Sequence, residues 1–226
     1  MKKTSITINI HHLVAVLLLL LLPVFFVACS NALWHSSPEI SASDIPEDSL
    51  EFELRTVMEK GISLEERKQQ LPVIEEAFAR LTTAERARNL AALCYLKTLG
   101  TRLAPFDLAE IALAETGGHA LSSDATSVKG AIGVWQLMPN QARIHGYTAS
   151  EMRNDEKCAE AAVRTLLEKL VIARGQLDLA KKYYCGVGPQ ADAYLRKVQN
   201  IRRQLHVSLA NSKPAKPLQI ADASLD

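Results

Sequence analysis

The sequence predicts a mainly α-helical protein. Aromatic residues make up only 5% of the chain while alanine and leucine are frequent, a composition that favours helices over sheets. Three capping-box patterns, in which a serine or threonine precedes a glutamate by three positions, mark helix starts at Ser63, Thr82 and Thr148. At 226 residues, 48% of them hydrophobic, the chain is long enough for one or two packed domains.

The first 28 residues have the pattern of an export signal. A basic start is followed by an uncharged run over residues 13–28, shorter than the roughly 20 residues that a transmembrane helix needs. The run ends in FVAC at residues 26–29, which resembles a bacterial lipobox with Phe26 in place of the usual leucine. That resemblance implies a lipid anchor on Cys29, which would hold the protein at a membrane. A secretory signal and an uncleaved anchor are the alternatives.

Residues 29–48 are predicted to be a tether, because they contain serine, proline and aspartate without a helical period. Ser30, rather than an aspartate, follows the cysteine, which by resemblance to enteric lipoprotein sorting implies the outer membrane. The expected location is therefore the periplasmic face of the bacterial cell envelope. A formal net charge of +1 gives no electrostatic footprint for nucleic acid, and a monomer is expected.

Residues 49–98 are predicted to form a helical preface of two or three helices. Leu71, Ile74 and Phe78 form one apolar stripe, and Leu90 and Cys94 belong to a shorter one. Helical spacing also predicts later helices over about 155–174, from about 177, and over about 191–205, followed by a disordered tail at 206–226.

The most informative stretch covers residues 107–139. Asp107 is the expected N-cap of a helix whose apolar face carries the carboxylate of Glu115. Gly117 then ends the helix, and a loop rich in small residues continues to Gly133. An acid on an apolar helix face beside such a loop is expected to have a raised pKa and to act as a general acid.

This stretch resembles the catalytic core of lytic transglycosylases of the soluble-lytic-transglycosylase type, in the lysozyme superfamily. The family has Glu-Ser and then Ala-x-Ser-x-x-Gly-Ala-x-Gly-Leu-(Met/Trp)-Gln-(Leu/Phe)-Met-Pro. This chain has Glu115 and Thr116, and then ATSVKGAIGVWQLMP at residues 125–139 without a gap. The resemblance implies a lysozyme-like catalytic domain of the goose type over residues 99–205.

The family resemblance also implies an activity on the glycan strands of peptidoglycan. Glu115 would act first as acid and then as base in cleaving the β-1,4 bond between MurNAc and GlcNAc, leaving a 1,6-anhydro-muramyl end without using water. Glycosidases usually need two carboxylates. Asp124, Asp155 and Glu156 are the other acids considered, and none lies where the family has a second catalytic acid, because the family has none. No cofactor and no metal are implied.

The family motif implies a set of substrate-binding residues beside the acid. They are Ser127, Gly130, Gly133, Gln136 and Met138. A turn-capping hydroxyl and simple turn geometry account equally for the serine and the glycines. Trp135 is compatible both with the core and with stacking on a sugar. Glu110, five residues before Glu115, is expected to be solvated.

A second family motif, Ala-Tyr-Asn-x-Gly, places its tyrosine against the catalytic glutamate. The corresponding sequence YYCGVG at residues 183–188 departs from it, and two registers are open. Tyr183 is preferred because its register keeps Gly186 and needs fewer departures. In the other register Tyr184 is the motif tyrosine and Cys185 replaces the asparagine.

The cysteines allow two outcomes. Cys158 begins one predicted helix and Cys185 ends the next, and antiparallel helices bring such ends together, so a disulfide between them is as compatible with the pattern as two free thiols. Cys94 lies on an apolar stripe and is expected to be a buried free thiol.

Two other functions stay open at the level of sequence. A muramidase-type hydrolase with this fold would leave a reducing end instead of an anhydro end. A wall-binding or assembly lipoprotein would use a degenerate form of the fold without catalysis, and the missing asparagine of the second motif keeps this alternative open.

Overall fold

The computed structural model describes Leu54, residues 56–58 and residues 60–212. The predicted export signal, Cys29, the tether and the tail beyond residue 212 lie outside the described residues. The described part is mainly helical, with helices α1 (Leu64–Ala79), α2 (Ala84–Thr98), α3 (Pro105–Thr116), α4 (Pro139–Ile144), α5 (Asp155–Ile172), α6 (Leu177–Cys185) and α7 (Pro189–Asn211). None of these helices combines the length and the apolar character needed to cross a membrane.

Of the predicted capping boxes, the one at Ser63 begins α1, whereas the one at Thr148 precedes only the 3-10 turn Ser150–Arg153. The glutamates of the Ser63 and Thr148 boxes accept hydrogen bonds from the cap N–H groups at 2.9 and 2.7 Å. Helix α2 instead begins behind Thr83, one residue after the predicted Thr82, and the Thr83 hydroxyl accepts from the N–H of Arg86 at 3.3 Å. The predicted cap is thus shifted by one position.

Helix α3 lies at the centre of the fold, since ten of its 12 residues are buried. It begins at Pro105 behind Ala104, a favourable position for proline. Asp107 is therefore not the N-cap. It lies inside the first turn, where its carboxylate accepts from the N–H of Ala104 at 2.7 Å.

One main core joins the preface to the rest of the described chain. Helices α1, α2, α3 and α5 all contribute fully buried side chains to it, among them Ile74, Phe78, Leu90, Cys94, Leu108, Ile111 and Leu166. The helices predicted as a preface therefore pack directly on the helix that carries Glu115.

The last helix is longer than predicted. Helix α7 continues to Asn211, so residues 206–211 are helical where a tail was expected. Its later turns contribute Leu205 to the core, and the ring of His206 contacts Phe106 edge-on at a centroid distance of 5.3 Å. These contacts explain why the helix continues.

A buried ionic cluster joins α3, α6 and α7. The ammonium of Lys181 contacts Asp107 at 2.6 Å and also bonds to Glu110, while Arg202 reaches Glu110 at 3.1 Å and Asp178 at 2.6 Å. Glu110 is 1% exposed and Lys181 is fully buried. The expectation that Glu110 is solvated is wrong, because α6 and α7 cover that side of α3.

Candidate active site

Glu115 lies in the last turn of α3, and the end of that helix is fixed by the loop that follows. The buried hydroxyl of Thr116 donates to the carbonyl oxygen of Val134 at 2.7 Å. After a 3-10 turn, Leu121 adopts a left-handed conformation and its N–H donates to the carbonyl of Thr116 at 3.0 Å. Thr116, the departure from the serine of the family motif, therefore ties the acid to its loop.

Ser127 and Gly130 shape a tight turn in this loop. The backbone of Ser127 donates to Ala131 at 2.9 Å, and the Ser127 hydroxyl accepts from the N–H of Ala131 at 3.0 Å. Gly130 has a φ of 84°, which favours glycine. Ser127 is exposed and accepts through its hydroxyl oxygen, so the turn leaves its O–H available to donate.

Gly133 is required by packing. Its φ is 83°, and a Cβ atom on it would lie 2.1 Å from the carbonyl oxygen of Met152 and 2.8 Å from the Sγ of Cys158. The close approach is thus to the 3-10 turn Ser150–Arg153 and to α5, rather than to an open surface where a sugar could bind.

We expect Gly133→Ala to lower the free energy of unfolding by about 2–4 kcal/mol, from left-handed strain plus overpacking. Gly130→Ala is the matched control, because Gly130 has nearly the same φ but no atom within 4 Å of its added Cβ. Gly130→Ala should lower the free energy of unfolding only by the cost of the left-handed backbone, about 1–2 kcal/mol. Urea unfolding of both variants measures the difference. Equal losses would contradict the packing explanation.

Trp135 and Gln136 hold the loop from inside. Trp135 is fully buried and its indole N–H donates to the carbonyl of Leu108 at 3.0 Å, so it belongs to the core and does not stack on a sugar. The side-chain amide of Gln136 donates to the carbonyls of Ala125 and Gly133 at 3.0 and 2.8 Å. Gln136 therefore braces the loop with its N–H groups, leaving its amide oxygen as the available acceptor.

Tyr184, rather than the preferred Tyr183, is the tyrosine of α6 that interacts electrostatically with Glu115. Its hydroxyl donates to the carbonyl oxygen of Trp135 at 2.8 Å. Burial and the nearby Glu115 carboxylate raise the pKa of Tyr184 well above its usual value. Tyr183 is partly buried and packs at the edge of the main core. The sequence alone could not decide between the two tyrosines, because a motif register does not show which side of α6 faces α3.

The disulfide between Cys158 and Cys185 is not formed, and Cys94 is likewise free. Cys158 is fully buried behind the loop, with its Sγ 4.0 Å from the carbonyl oxygen of Ile132, whereas Cys185 is exposed at the end of α6. One thiol is therefore in the core and the other is at the surface, so the order of the two helix ends along the chain does not bring the thiols together.

Cys185 interacts electrostatically with both the acid and the tight turn. Burial and the Glu115 carboxylate raise the pKa of its thiol, while the charge of Lys129 lowers it. Lys129 is exposed at the tip of the turn that starts at Ser127, and Met138 is 40% exposed at the N-cap of α4. The Cys185 thiol thus shares the electrostatic environment of the acid.

Tyr194 is a site residue that sequence reasoning missed. It lies on α7 with 8% of its surface exposed, and its buried hydroxyl makes no hydrogen bond of ordinary geometry within the described residues. It is nevertheless close enough to Glu115 to lower the pKa of that acid. Helical spacing places Tyr194 on the inward side of its helix but does not identify the helix that opposes it.

Glu115 has the electrostatics of a general acid. Burial raises the pKa of its carboxyl from 4.5 to about 7, against the lowering effects of Tyr194 and of the Lys197 ammonium. Lys197 donates to the carbonyl oxygen of Ala114 at 2.5 Å, directly beside the acid. A carboxyl with this pKa can both give and take a proton near neutral pH.

The other acids considered from the sequence are engaged elsewhere. Asp155 pairs with Arg86 at 2.8 Å, Glu156 pairs with Lys97 at 2.8 Å, and exposed Asp124 lies 3.6 Å from Arg153. Among the described residues no cluster of histidine, cysteine and acidic side chains could hold a metal ion. The site therefore has one acid with two tyrosines around it.

Comparison with known proteins adds no precedent for this arrangement. A scan against protein-family models finds no match. Searches of curated proteins and of solved structures likewise find no match to the chain. The chemical interpretation of the site accordingly starts from Glu115 and the groups that act on it.

Proposed function

We propose that the chain is a peptidoglycan lytic transglycosylase with a lysozyme-like catalytic domain. The observation that carries the proposal is the half-buried Glu115, whose pKa is raised to about 7 and which has the buried Tyr194 and the partly buried Tyr184 beside it. One such acid suits a reaction in which the same group first donates and then accepts a proton. The loop motif at residues 125–139 supports the choice of a glycan substrate.

In the proposed reaction, protonated Glu115 gives its proton to the glycosidic oxygen between MurNAc and GlcNAc. The bond from C1 of MurNAc to that oxygen breaks, and the GlcNAc residue leaves as an alcohol. The ionised Glu115 then takes the proton of the C6 hydroxyl of the same MurNAc as O6 bonds to C1. The acid is restored, no water is consumed, and no cofactor is needed.

The groups around Glu115 have distinct proposed roles. Tyr194 lowers the proton affinity of the acid, Tyr184 lines the site beside it, and Ser127 and Gln136 offer polar contacts to the sugar. Gly130 and Met138 shape the open side of the cleft. An anchor on Cys29, outside the described residues, would place the enzyme as a monomer at the outer membrane facing the cell wall.

Mass spectrometry of purified sacculi digested with the full chain tests this proposal. We expect muropeptides that are one water lighter than hydrolysis products, because the intramolecular attack retains the anhydro bridge. Products with a reducing end would establish a muramidase instead. Absence of any product above that of a Glu115→Gln preparation would leave the wall-binding lipoprotein as the better description.

The pH dependence of cleavage should follow the protonation of Glu115. Since the first step uses the protonated acid, we expect kcat/KM to fall as the pH rises through about 7. Tyr194→Phe removes an influence that lowers the pKa of Glu115. The descending limb of its pH profile should therefore move to higher pH.

Tyr183→Phe is the matched control for this shift. Tyr183 lies on α6 and does not act on Glu115. The descending limb of the pH profile of Tyr183→Phe should therefore coincide with that of the unmodified enzyme. Tyr194→Phe should remain folded, because the lost hydroxyl makes no ordinary hydrogen bond. A descending limb at the same pH in both variants would exclude Tyr194 from the proton chemistry.

A further inference from the structure

A cavity of about 380 Å³ lies on the side of α3 opposite Glu115. Leu113 and Gly117, two positions before and after the acid, line it, and a separation of two residues places side chains on opposite faces of a helix. The apolar part of the remaining wall comes from α1, from Leu81 just after it, and from α7: Val73, Ala77, Leu81, Ile201 and Leu205. Asn200 and Gln204 of α7 add polar groups to the wall. A concave apolar site of this volume is typical of small-molecule binding.

The rim of this cavity is positively charged. Lys197 and Arg80 line it, and a shallower groove that shares Arg80 continues along α7 past Arg203 to Ser208. Glu76 is the acid among the lining residues, and it already pairs with Arg80 at 2.6 Å. From Lys197 to Ser208 the groove follows α7 for about 16 Å. An elongated apolar trough with cations at its rim therefore fits a long apolar group with an anionic end.

Lys197 also connects this cavity to the acid. Its ammonium donates to the carbonyl oxygen of Ala114 at 2.5 Å, and its charge lowers the pKa of Glu115. Tyr194, also on α7, is the other titratable group that lowers the pKa of Glu115. The Glu115 carboxylate in turn raises the pKa of Tyr184 and Cys185 on α6. Lys197 is the member of this set that lines the cavity.

We propose that the cavity binds an amphiphile with one acyl chain and an anionic head group, and that its head group competes with the Ala114 carbonyl for Lys197. The acyl chain would lie along α7 towards Leu205, where burial of each CH₂ favours binding. Fatty acids and lysophospholipids share this chemistry. Neutralising Lys197 would raise the pKa of Glu115 further and extend activity to higher pH. The coupling rests on the proposed function, whereas the binding does not.

Calorimetric titration of the full chain with decanoate, below its micelle concentration, tests the binding. We expect saturable binding at one site, with decanol bound at least about tenfold more weakly because it lacks the charge that Lys197 attracts. Lysophosphatidylglycerol is titrated in the same way. Tighter binding than decanoate would identify a lysophospholipid as the ligand, and weaker binding would identify a free fatty acid. The absence of saturable decanoate binding, or equal affinity for decanol, would overturn the proposal.

Two alanines of α1 give a matched pair of variants. Ala77→Phe fills the cavity and should weaken decanoate binding at least about tenfold, whereas Ala79→Phe, on the exposed side of the same helix, should bind as the unmodified chain does. If both variants bind decanoate equally well, decanoate does not bind in this cavity and the proposal is wrong. If Ala77→Phe unfolds, Lys197→Met decides: it should lose the preference for decanoate over decanol, and retention of that preference contradicts the assignment.

The coupling has its own readout. With saturating decanoate, the descending limb of the pH profile of sacculus cleavage should move to higher pH, and the shift should be absent in Ala77→Phe. An unchanged limb despite calorimetric binding would overturn the coupling. A chain that binds decanoate but cleaves no glycan would instead count against the proposed function, so the two failures are distinguishable.

Discussion

Glu115→Gln should lower the rate of glycan cleavage about 1,000-fold or more. General acid–base catalysis contributes roughly 100- to 10,000-fold, and here one carboxyl serves both proton transfers. Glutamine keeps the size and the hydrogen-bonding oxygen of the side chain but can neither donate nor accept the proton. Release of anhydro-muropeptides from sacculi measures the loss. A residual rate within tenfold of the unmodified enzyme would remove Glu115 from the mechanism.

The same substitution should stabilise the folded chain at alkaline pH. The pKa of Glu115 is raised in the folded state, from 4.5 to about 7, so folding disfavours its ionised form. The resulting cost is absent below about pH 4.5, grows as the pH rises towards 7 and is complete above it. The shift corresponds to about 3 kcal/mol at most, and partial exposure reduces it to about 1–3 kcal/mol.

Urea unfolding at pH 4 and pH 8 separates the two effects of Glu115→Gln. The variant should match the unmodified chain at pH 4 and exceed it at pH 8. Glu156→Gln is the control, because its side chain is 68% exposed and its pairing with Lys97 is a surface interaction worth about 1 kcal/mol or less. An inactive variant that is also less stable at pH 8 would indicate that Glu115 is held in place by favourable interactions, contrary to its raised pKa.

The local parts of the fold could be predicted from the sequence. Capping boxes at Ser63 and Thr148 form as expected, and the starts of α5 and α6 agree with helical spacing, because these features depend on residues within one or two turns. Asp107 was misplaced because a carboxylate at the third helical position also marks a helix start, where it accepts from the N–H of the N-cap residue, here Ala104. The length of α7 depended on contacts such as that of His206 with Phe106, which lie far apart in sequence.

In the candidate site, too, residues close together in sequence could be predicted, whereas residues contributed by distant helices could not. Glu115 and the turn from Ser127 to Gly130 lie in one continuous stretch, and its pattern pointed to them directly. Tyr194 contributes from a helix 79 positions later, and no local signal shows that α7 packs on α3 at the turn that holds the acid. The pairing of Cys158 with Cys185 failed for a related reason, since the direction of a thiol depends on helix rotation.

Lys181→Met should lower the free energy of unfolding by about 3–5 kcal/mol, because it leaves Asp107 and Glu110 buried without their shared cation. Arg202 still reaches Glu110, so the loss should stay below that of removing both cations. Lys181 also lies one turn before Tyr184 on α6, and the cluster holds that helix against α3. Cleavage by the folded fraction should therefore decrease along with stability.

Lys182→Met is the matched control on the same helix. Lys182 pairs with Asp192 at 2.5 Å, but the two side chains are 26% and 49% exposed, so its loss should cost about 1 kcal/mol or less. Adding Glu110→Gln to Lys181→Met should restore part of the lost stability, because it removes one of the uncompensated buried charges. If the two substitutions instead add, Lys181 and Glu110 act independently, and burial of the methionine rather than loss of the ion pair accounts for the destabilisation.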